Sequence, residues 1–198
     1  LELGKLGRDQ GLQLLFEPGL PGGGELNAAM ADHGGVLSSL VYRPQPGEVG
    51  NETWKGDSWK DRTGVNNWGF NMTVDAERGI LYVAVEAPGP NDYWGGDRQG
   101  DNLYGNSLVA LDAQTGTIKW YFQAVHHDLW DYDLPQAPKL LTIKQNGRSI
   151  DVVAQASKFG FIYVFERKTG KPVFPIEERP VPQSDVPGEV TSKTQPFP

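Results

Sequence analysis

Short apolar runs separated by turn-forming residues dominate the central part of the chain. Apolar side chains, many of them β-branched or aromatic, fill residues 80–85, 107–111, 140–143, 150–154 and 160–165. Strands with one buried face favour such residues. Asn146-Gly147, between the third and fourth runs, is a hairpin signal because both residues readily adopt positive φ. Helical periodicity occurs only at residues 12–16, a single turn, so the pattern predicts an all-β chain.

Two similar segments 54 residues apart indicate an internal repeat. The corresponding residues are Asp112 with Glu166, Gly116 with Gly170, and Trp120 with Phe174. Each unit combines a strand, a tight turn with an acidic residue and Thr-Gly, and a strand that carries an aromatic residue. The acidic side chain can accept hydrogen bonds in the turn, and glycine suits its left-handed position. A period of about 50 residues with several short strands is typical of a β-propeller blade.

The length of the chain predicts only part of such a ring. Propellers have about 4–8 blades, and closure of the ring protects the strand edges. At about 50 residues per blade, we expect about three four-stranded blades over residues 42–198, ending in a proline-rich loop. Residues 1–41 show little alternation and are predicted to be irregular or linker-like. We expect the open blade edges to permit self-association.

Composition and charge exclude several other classes of protein. The chain has 25 Gly and 15 Pro, which disfavour a helical bundle, and an aromatic content of 11%, which argues against disorder. The formal charge of −7 disfavours nucleic acid as a partner, because phosphate binding needs clustered Lys and Arg. Without Cys there is neither a disulfide nor a thiolate metal site. The sequence shows no stretch of about 18 apolar residues and no signal peptide.

Residues 125–135, Val-His-His-Asp-Leu-Trp-Asp-Tyr-Asp-Leu-Pro, form an unusual motif. Together with residues 106–120 they resemble the pyrroloquinoline quinone (PQQ) dependent dehydrogenases, and most closely the quinoprotein glucose dehydrogenases. The resemblance covers about residues 42–198, with further matches at 46–54, 93–98, 160–165 and 179–184. It implies an eight-bladed propeller, PQQ with Ca²⁺ or Mg²⁺, a sugar or alcohol substrate, a quinone or cytochrome electron acceptor, and a periplasmic location.

The same resemblance assigns roles to three side chains. Asp131 corresponds to the base that accepts the hydroxyl proton, and in the family this residue also lies beside the metal. Lys158 corresponds to the cation at the quinone oxygens, where it stabilises developing negative charge. Trp68 corresponds to the aromatic floor on which the flat cofactor stacks. The structural alternatives are a solvated acidic loop of Asp128, Asp131 and Asp133, a solvated lysine for Lys158 and core packing for Trp68.

The candidate metal ligands and the histidines are less specific. Asn91 and Asp92 lie in the loop at 88–94, which supplies oxygen ligands in the family, but either residue can simply begin a turn. This loop is about one residue longer than the glucose dehydrogenase pattern. His126 and His127 are adjacent, so in extended chain they point to opposite faces and do not chelate one zinc ion together.

Two other functions remain open at the level of sequence. A non-catalytic propeller scaffold would keep the blade repeat and lose the site, and a carbohydrate-binding module would stack sugars on exposed Trp54, Trp59 and Trp94. The joint presence of Asp131, Lys158 and Trp68 at family spacing favours an enzyme. Because cofactor and metal are held by residues around the whole ring in this family, we expect the 198-residue chain alone to oxidise no glucose.

Overall fold

The computed structural model describes residues 44, 46–60, 67, 71–89 and 93–198. Within these ranges the chain contains two short 3-10 helical segments, Asn51–Thr53 and Lys55–Lys60, the second interrupted by a kink. The strands of the same ranges are β1 Met72–Asp75, β2 Ile80–Ala84, β3 Ser107–Asp112, β4 Ile118–Gln123, β5 Lys139–Gln145, β6 Arg148–Ala156, β7 Ile162–Glu166, β8 Glu177–Pro180 and β9 Thr194–Phe197.

The strands form antiparallel sheets joined in chain order. The first sheet has the order β1-β2-β3-β4, the second β5-β6-β7, and the third pairs β8 with β9. The predicted all-β class is therefore confirmed, and the first sheet has the four strands expected of a blade. In the second sheet the fourth position is reduced to a bridge between Phe165 and Pro172, followed by a hydrogen bond from Val173 N to Val164 O of 2.9 Å. Pro172 has no N–H, so it cannot donate to a longer ladder.

The two inner strands of the first sheet are buried on both faces. Alternate side chains of a strand point to opposite faces, so β2 contributes to two cores. Leu81 and Val83 pack on the side of Trp54, together with Val109 and Leu111 of β3. On the opposite face the cluster joins both sheets, and its members include Ile80, Tyr82, Ala110, Trp120, Val153, Tyr163 and Phe165. The second cluster is what holds the neighbouring blades together.

Trp120 of β4 occupies the centre of this contact between blades. Its indole Nε1 donates to the carbonyl of Arg167 at 3.0 Å, and its ring lies 5.7 Å from that of Phe165. The ring also lies directly over Gly170, where a Cβ would come within 2.6 Å of Trp120 Cδ2. Gly170 also has a φ of +69°, a left-handed conformation that is strained for residues with a side chain. The aromatic residue of one repeat unit therefore packs on the glycine of the next.

An ion network also joins the two sheets. Asp75, at the end of β1 and 4% exposed, accepts hydrogen bonds from Arg78 and from Arg167, each at 3.2 Å. Arg78 reaches on to Asp151 of β6 at 2.5 Å. A buried carboxylate is tolerated when it is paired and hydrogen-bonded in this way. Apolar packing and paired charges therefore both stabilise the contact between these two blades.

Three features considered in the sequence analysis are the boundary at residue 42, a membrane-spanning segment and the exposure of Trp54. Residues 1–41, predicted to be irregular, lie outside the described residues, so the domain boundary at residue 42 stays a prediction. Among the described residues, no helix is both long enough and apolar enough to cross a lipid bilayer. Trp54, considered above as an exposed stacking platform, is only 4% exposed and donates its indole N–H to the Leu103 carbonyl at 2.6 Å. That expectation is wrong because Trp54 belongs to the core.

We expect Gly170→Ala to destabilise the chain more than the matched variant Gly147→Ala. Both glycines have positive φ, so each alanine costs about 1–2 kcal/mol of backbone strain. A Cβ at Gly147 meets nothing within 4 Å, whereas one at Gly170 collides with Trp120, which adds about 1–3 kcal/mol of overpacking. Urea unfolding of the two variants measures the difference. Equal destabilisation would contradict the proposed contact between Gly170 and Trp120.

Candidate active site

The segment at 124–138 leads from the first sheet to the second and carries the motif of the sequence analysis. It forms no regular strand, and two of its non-glycine residues have positive φ, His127 at 48° and Asp131 at 58°. Such conformations cost energy and persist where surrounding contacts hold them. The segment is therefore an irregular loop whose conformation depends on the contacts around it.

Asp131 and Lys158 come together although 27 residues separate them. Lys158 lies in the turn between β6 and β7, which Ser157 closes by accepting a hydrogen bond from Phe161 N at 3.0 Å. The backbone N–H of Lys158 donates to the carbonyl of Asp133 at 3.0 Å, which attaches this turn to the loop. Lys158 Nζ then donates to Asp131 Oδ2 at 2.5 Å. The side chain of Asp131 is 21% exposed and that of Lys158 is 45% exposed.

The ion pair changes the protonation of both groups. Burial raises the pKa of Asp131, but the hydrogen bond and charge of Lys158, with a bond from Asp133, outweigh burial and leave the pKa below its ordinary value. The hydrogen bond to Asp131 raises the pKa of Lys158. At neutral pH the structure therefore holds a carboxylate beside an ammonium group.

Asp133 is a second carboxylate at the same place. It is 6% exposed, and its Oδ1 accepts the backbone N–H of Ala87 at 2.9 Å. Burial, together with the hydrogen bond and negative charge of Asp131, raises the pKa of Asp133 to about 6. Neighbouring carboxylates with pKa values displaced in opposite directions are a common feature of acid–base sites.

Aromatic side chains surround the ion pair. The Tyr93 hydroxyl donates to Asp131 Oδ2 at 3.3 Å. Trp130 and Tyr132, on either side of Asp131, stack with ring centroids 5.5 Å apart, and Tyr132 contacts Phe159, next to Lys158. These three rings line a cavity of about 600 Å³ that extends to residues 181–197 and does not include Asp131 or Lys158. The charged pair and the cavity are therefore neighbouring but separate features.

A buried polar network lies beneath the loop. Arg98 is fully buried, and it donates to Asn102 Oδ1 at 2.8 Å and to the Asp128 carbonyl at 2.5 Å. The His127 ring contacts the same Asn102 oxygen through Nδ1 at 2.9 Å, while Nε2 is buried without a hydrogen-bond partner among the described residues. Burial and the charge of Arg98 lower the pKa of His127 to about 4, so this imidazole is neutral at pH 7.

The sequence-predicted site residues fall into two groups. Asp131 and Lys158 are brought together, whereas Trp68, Asn91 and Asp92 lie outside the described residues. Within the described ranges, no group of three or more His, Asp or Glu side chains is placed to share a metal ion. The sequence-based roles of these five residues therefore stay predictions.

The two histidines make separate structural contacts. His126 bonds with Gln123 and Glu178 through its ring, while the ring of His127 is directed to Asn102. The two imidazoles therefore have different partners, and the backbone at His127, with φ 48°, is not the extended chain assumed from the sequence.

Sequence reasoning missed the contributions of Asp128, Asp133 and Tyr93. The alternative of a solvated acidic loop is wrong for Asp128 and Asp133, which are 1% and 6% exposed. The alternation of aspartate with aromatic residues in 128–133 was the available signal, because bulky rings beside carboxylates can shield them from water. Tyr93 gave no comparable signal, since it is distant from Asp131 in sequence.

The antiparallel sheets and the paired acid and lysine fit the class of propeller that the sequence resembles. Residues 39–198 match the family model described as "PQQ: Glucose/ethanol/alcohol dehydrogenase, beta-propeller domain". The chain belongs to this family.

Curated relatives and solved structures are consistent with that membership. The quinoprotein glucose dehydrogenases of Gluconobacter oxydans and Escherichia coli are each 41% identical over 67% of this chain and 16% of their own length. The quinohemoprotein alcohol dehydrogenase of Comamonas testosteroni superposes with a TM-score of 0.59 at 30% identity, over 80% of this chain and 25% of that structure. The chain thus spans about a sixth of these glucose dehydrogenases.

We expect Asp133→Asn to remove a pH dependence of stability between about pH 4 and 6. The folded chain holds the Asp133 proton up to about pH 6, whereas the unfolded chain releases it near 3.8. Since the folded state binds more protons in this window, the free energy of unfolding falls as pH rises through it. Asparagine can still accept the Ala87 N–H, so we also expect higher stability than wild type at pH 7.

Urea unfolding across this pH range, without added metal, measures the effect. Asp185→Asn is the matched control, because Asp185 is an exposed carboxylate in the loop at 181–191. If the free energy of unfolding of Asp133→Asn falls with pH as it does in wild type, the raised pKa of Asp133 is not the cause of that fall.

Proposed function

We propose that this chain supplies the proton-accepting carboxylate and the cation of a PQQ-dependent dehydrogenase that oxidises a sugar or alcohol hydroxyl. The observation that carries the proposal is the 2.5 Å pair between Asp131 and Lys158, built from two elements far apart in sequence. A propeller scaffold needs the contact between Trp120 and Gly170, but it has no need of a partly exposed ion pair on a strained loop. Membership of the dehydrogenase family supports the same choice.

Asp131 is suited to accept a proton from a substrate hydroxyl. Its carboxylate is ionised at neutral pH, its side chain is partly accessible, and Lys158 and Tyr93 fix its position. Lys158 and Tyr93 both donate to Oδ2, which holds the carboxylate in one orientation. General-base assistance of this kind contributes about 10²–10⁴-fold in rate. Asp133, with its raised pKa, is adjacent and can share the proton that Asp131 receives.

The described residues fit two needs of the quinone cofactor, a fixed cation and a carboxylate beside it. When bound, PQQ supplies the two-electron acceptor for hydride from the carbinol carbon. Lys158 would hold the quinone oxygens, and Trp68 would hold the face of the ring. The ammonium group of Lys158 has a raised pKa, so it keeps its charge throughout the neutral range.

A Ca²⁺ or Mg²⁺ ion completes the proposed site. Asp131 would provide one ligand, and Asn91 and Asp92 would provide others, since hard cations prefer carboxylate and amide oxygens. Support comes from Tyr93, which follows Asp92 directly in sequence and donates to Asp131. One solved relative is described as a europium-containing methanol dehydrogenase, with 25% identity over 68% of this chain.

The names of the relatives support a proposal for the substrate class. Those with the highest identity reported above are named glucose dehydrogenases, and another is the large subunit of a glycerol dehydrogenase, so we propose an aldose or polyol as substrate. We further propose a quinone or cytochrome as electron acceptor and a periplasmic location.

We expect Asp131→Asn to bind PQQ and to lose at least about 100-fold in turnover, because the base is replaced by a group that accepts no proton. We expect Lys158→Ala to weaken PQQ binding and turnover together. Lys144→Ala, at an exposed lysine of β5, is the matched control and should change neither. The measurements are PQQ fluorescence quenching in the presence of Ca²⁺ and dye reduction with glucose, on the full gene product that contains this chain.

Two outcomes would contradict the proposal. One is a full gene product that binds no PQQ, and the other is an Asp131→Asn variant with wild-type turnover. The 198-residue chain alone is expected to give no dye reduction, and robust reduction by it would refute the expectation that a larger ring is needed.

A further inference from the structure

The loop that carries Asp131 lacks the hydrogen bonds of a sheet. Residues 124–138 belong to no strand, and Asp131 has a left-handed conformation with φ 58°. For a residue with a side chain this conformation costs about 1–2 kcal/mol. With another backbone conformation, the carboxylate of Asp131 would point away from Lys158. The contact with Lys158 therefore requires that the backbone on both sides of Asp131 is held in place.

The side chain of Asp128 meets this requirement. Its Oδ1 accepts the backbone N–H of Trp130 at 2.9 Å, and its Oδ2 accepts that of Tyr132 at 2.7 Å. These are the residues immediately before and after Asp131. One carboxylate thus bonds to the backbone N–H groups of the residues on both sides of Asp131, where no sheet is available to them.

Asp128 is itself held from the opposite side. It is 1% exposed, and its Oδ2 accepts a third hydrogen bond, from Asn106 Nδ2 at 2.9 Å. Asn106 is anchored at the start of β3, where its carbonyl accepts the Ala124 N–H at 2.8 Å. Arg98 binds the Asp128 carbonyl and places a buried positive charge near the carboxylate. The position of Asp128 is therefore set by the first sheet.

From this geometry we infer that Asp128 is a positioning residue, which transmits the placement of the first sheet to the Asp131 carboxylate through the Trp130 and Tyr132 amides. The inference rests on the proposed function of Asp131. Asp128 is hydrogen-bonded neither to Lys158 nor to the Asp131 carboxylate, so it acts through the backbone of the residues beside Asp131. A displacement of about 1 Å at a reacting group can cost about 10²-fold in rate, which makes such a support measurable.

The experiment compares Asp128→Asn with wild type in the full gene product loaded with PQQ and Ca²⁺. An asparagine amide presents one oxygen and one NH₂ group, so it cannot accept from all three N–H donors. We expect kcat per PQQ-loaded molecule to fall about 10- to 100-fold, with KM for glucose changed less than about threefold. We also expect hydrogen exchange of the Trp130 and Tyr132 amides to accelerate at least tenfold, measured without cofactor.

Asp112→Asn is the matched control. Asp112 likewise accepts two backbone N–H groups, those of Gln114 and Thr115, but in the turn between β3 and β4. It should alter neither kcat nor exchange at Trp130 and Tyr132. Asn106→Gly is the second variant, because glycine tolerates the φ of 50° at this position and the substitution removes the hydrogen bond to Asp128. It should show the same changes to a smaller extent, and it tests the inference if Asp128→Asn does not fold.

The inference is overturned if kcat per loaded molecule in Asp128→Asn, or in Asn106→Gly where the first does not fold, equals that of Asp112→Asn. It is also overturned if the Trp130 and Tyr132 amides exchange at wild-type rates in the variant. If wild type neither binds PQQ nor reduces the dye, the proposed function fails, and the exchange experiment alone decides the positioning.

Discussion

The contact between Trp120 and the second sheet is the constraint on which the rest of the described structure depends. The indole ring fills the space between two blades, donates its N–H to Arg167 and lies over Gly170. Because sheets packed through interlocking side chains have little freedom to slide, this contact sets their relative register. The loop leaving β4 and the turn between β6 and β7 consequently meet, which brings Asp131 to Lys158.

The site is built from buried polar groups that support a partly exposed pair. Arg98 and Asp128 are almost inaccessible, and each is hydrogen-bonded mainly to backbone or amide partners, which offset part of the free-energy cost of burying charge. Above them, Asp131 and Lys158 remain within reach of solvent. Functional sites are commonly built in this way, because buried side chains hold the more exposed functional residues in a fixed position.

The outcome for individual residues shows where sequence reasoning succeeds. The repeat identified Trp120 and Gly170 as repeat positions and predicted the left-handed conformation that Gly170 has, because tight turns leave local signals at fixed spacing. The contact between the two residues became visible only in the structure. The motif around Asp131 and the turn at Lys158 led to two residues that the structure brings together. Trp54 was misjudged, because a tryptophan in a polar stretch gives no indication of the core residues that cover it. Asp128 was overlooked for a similar reason, since its partners Asn106 and Arg98 are distant in the chain.

The order of apolar and turn residues by itself determined the all-β class and the blade repeat, because these depend on alternation and spacing within a few tens of residues. The family was indicated by the resemblance of residues 106–120 and 125–135 to the quinoproteins. Only the tertiary structure decided which acidic residues are buried, that the pKa of Asp133 rises while that of Asp131 falls, and that Asp128 holds the backbone beside Asp131. Burial and electrostatic coupling depend on groups brought together from separate blades. Their distances are a property of the packed fold, which local sequence does not contain.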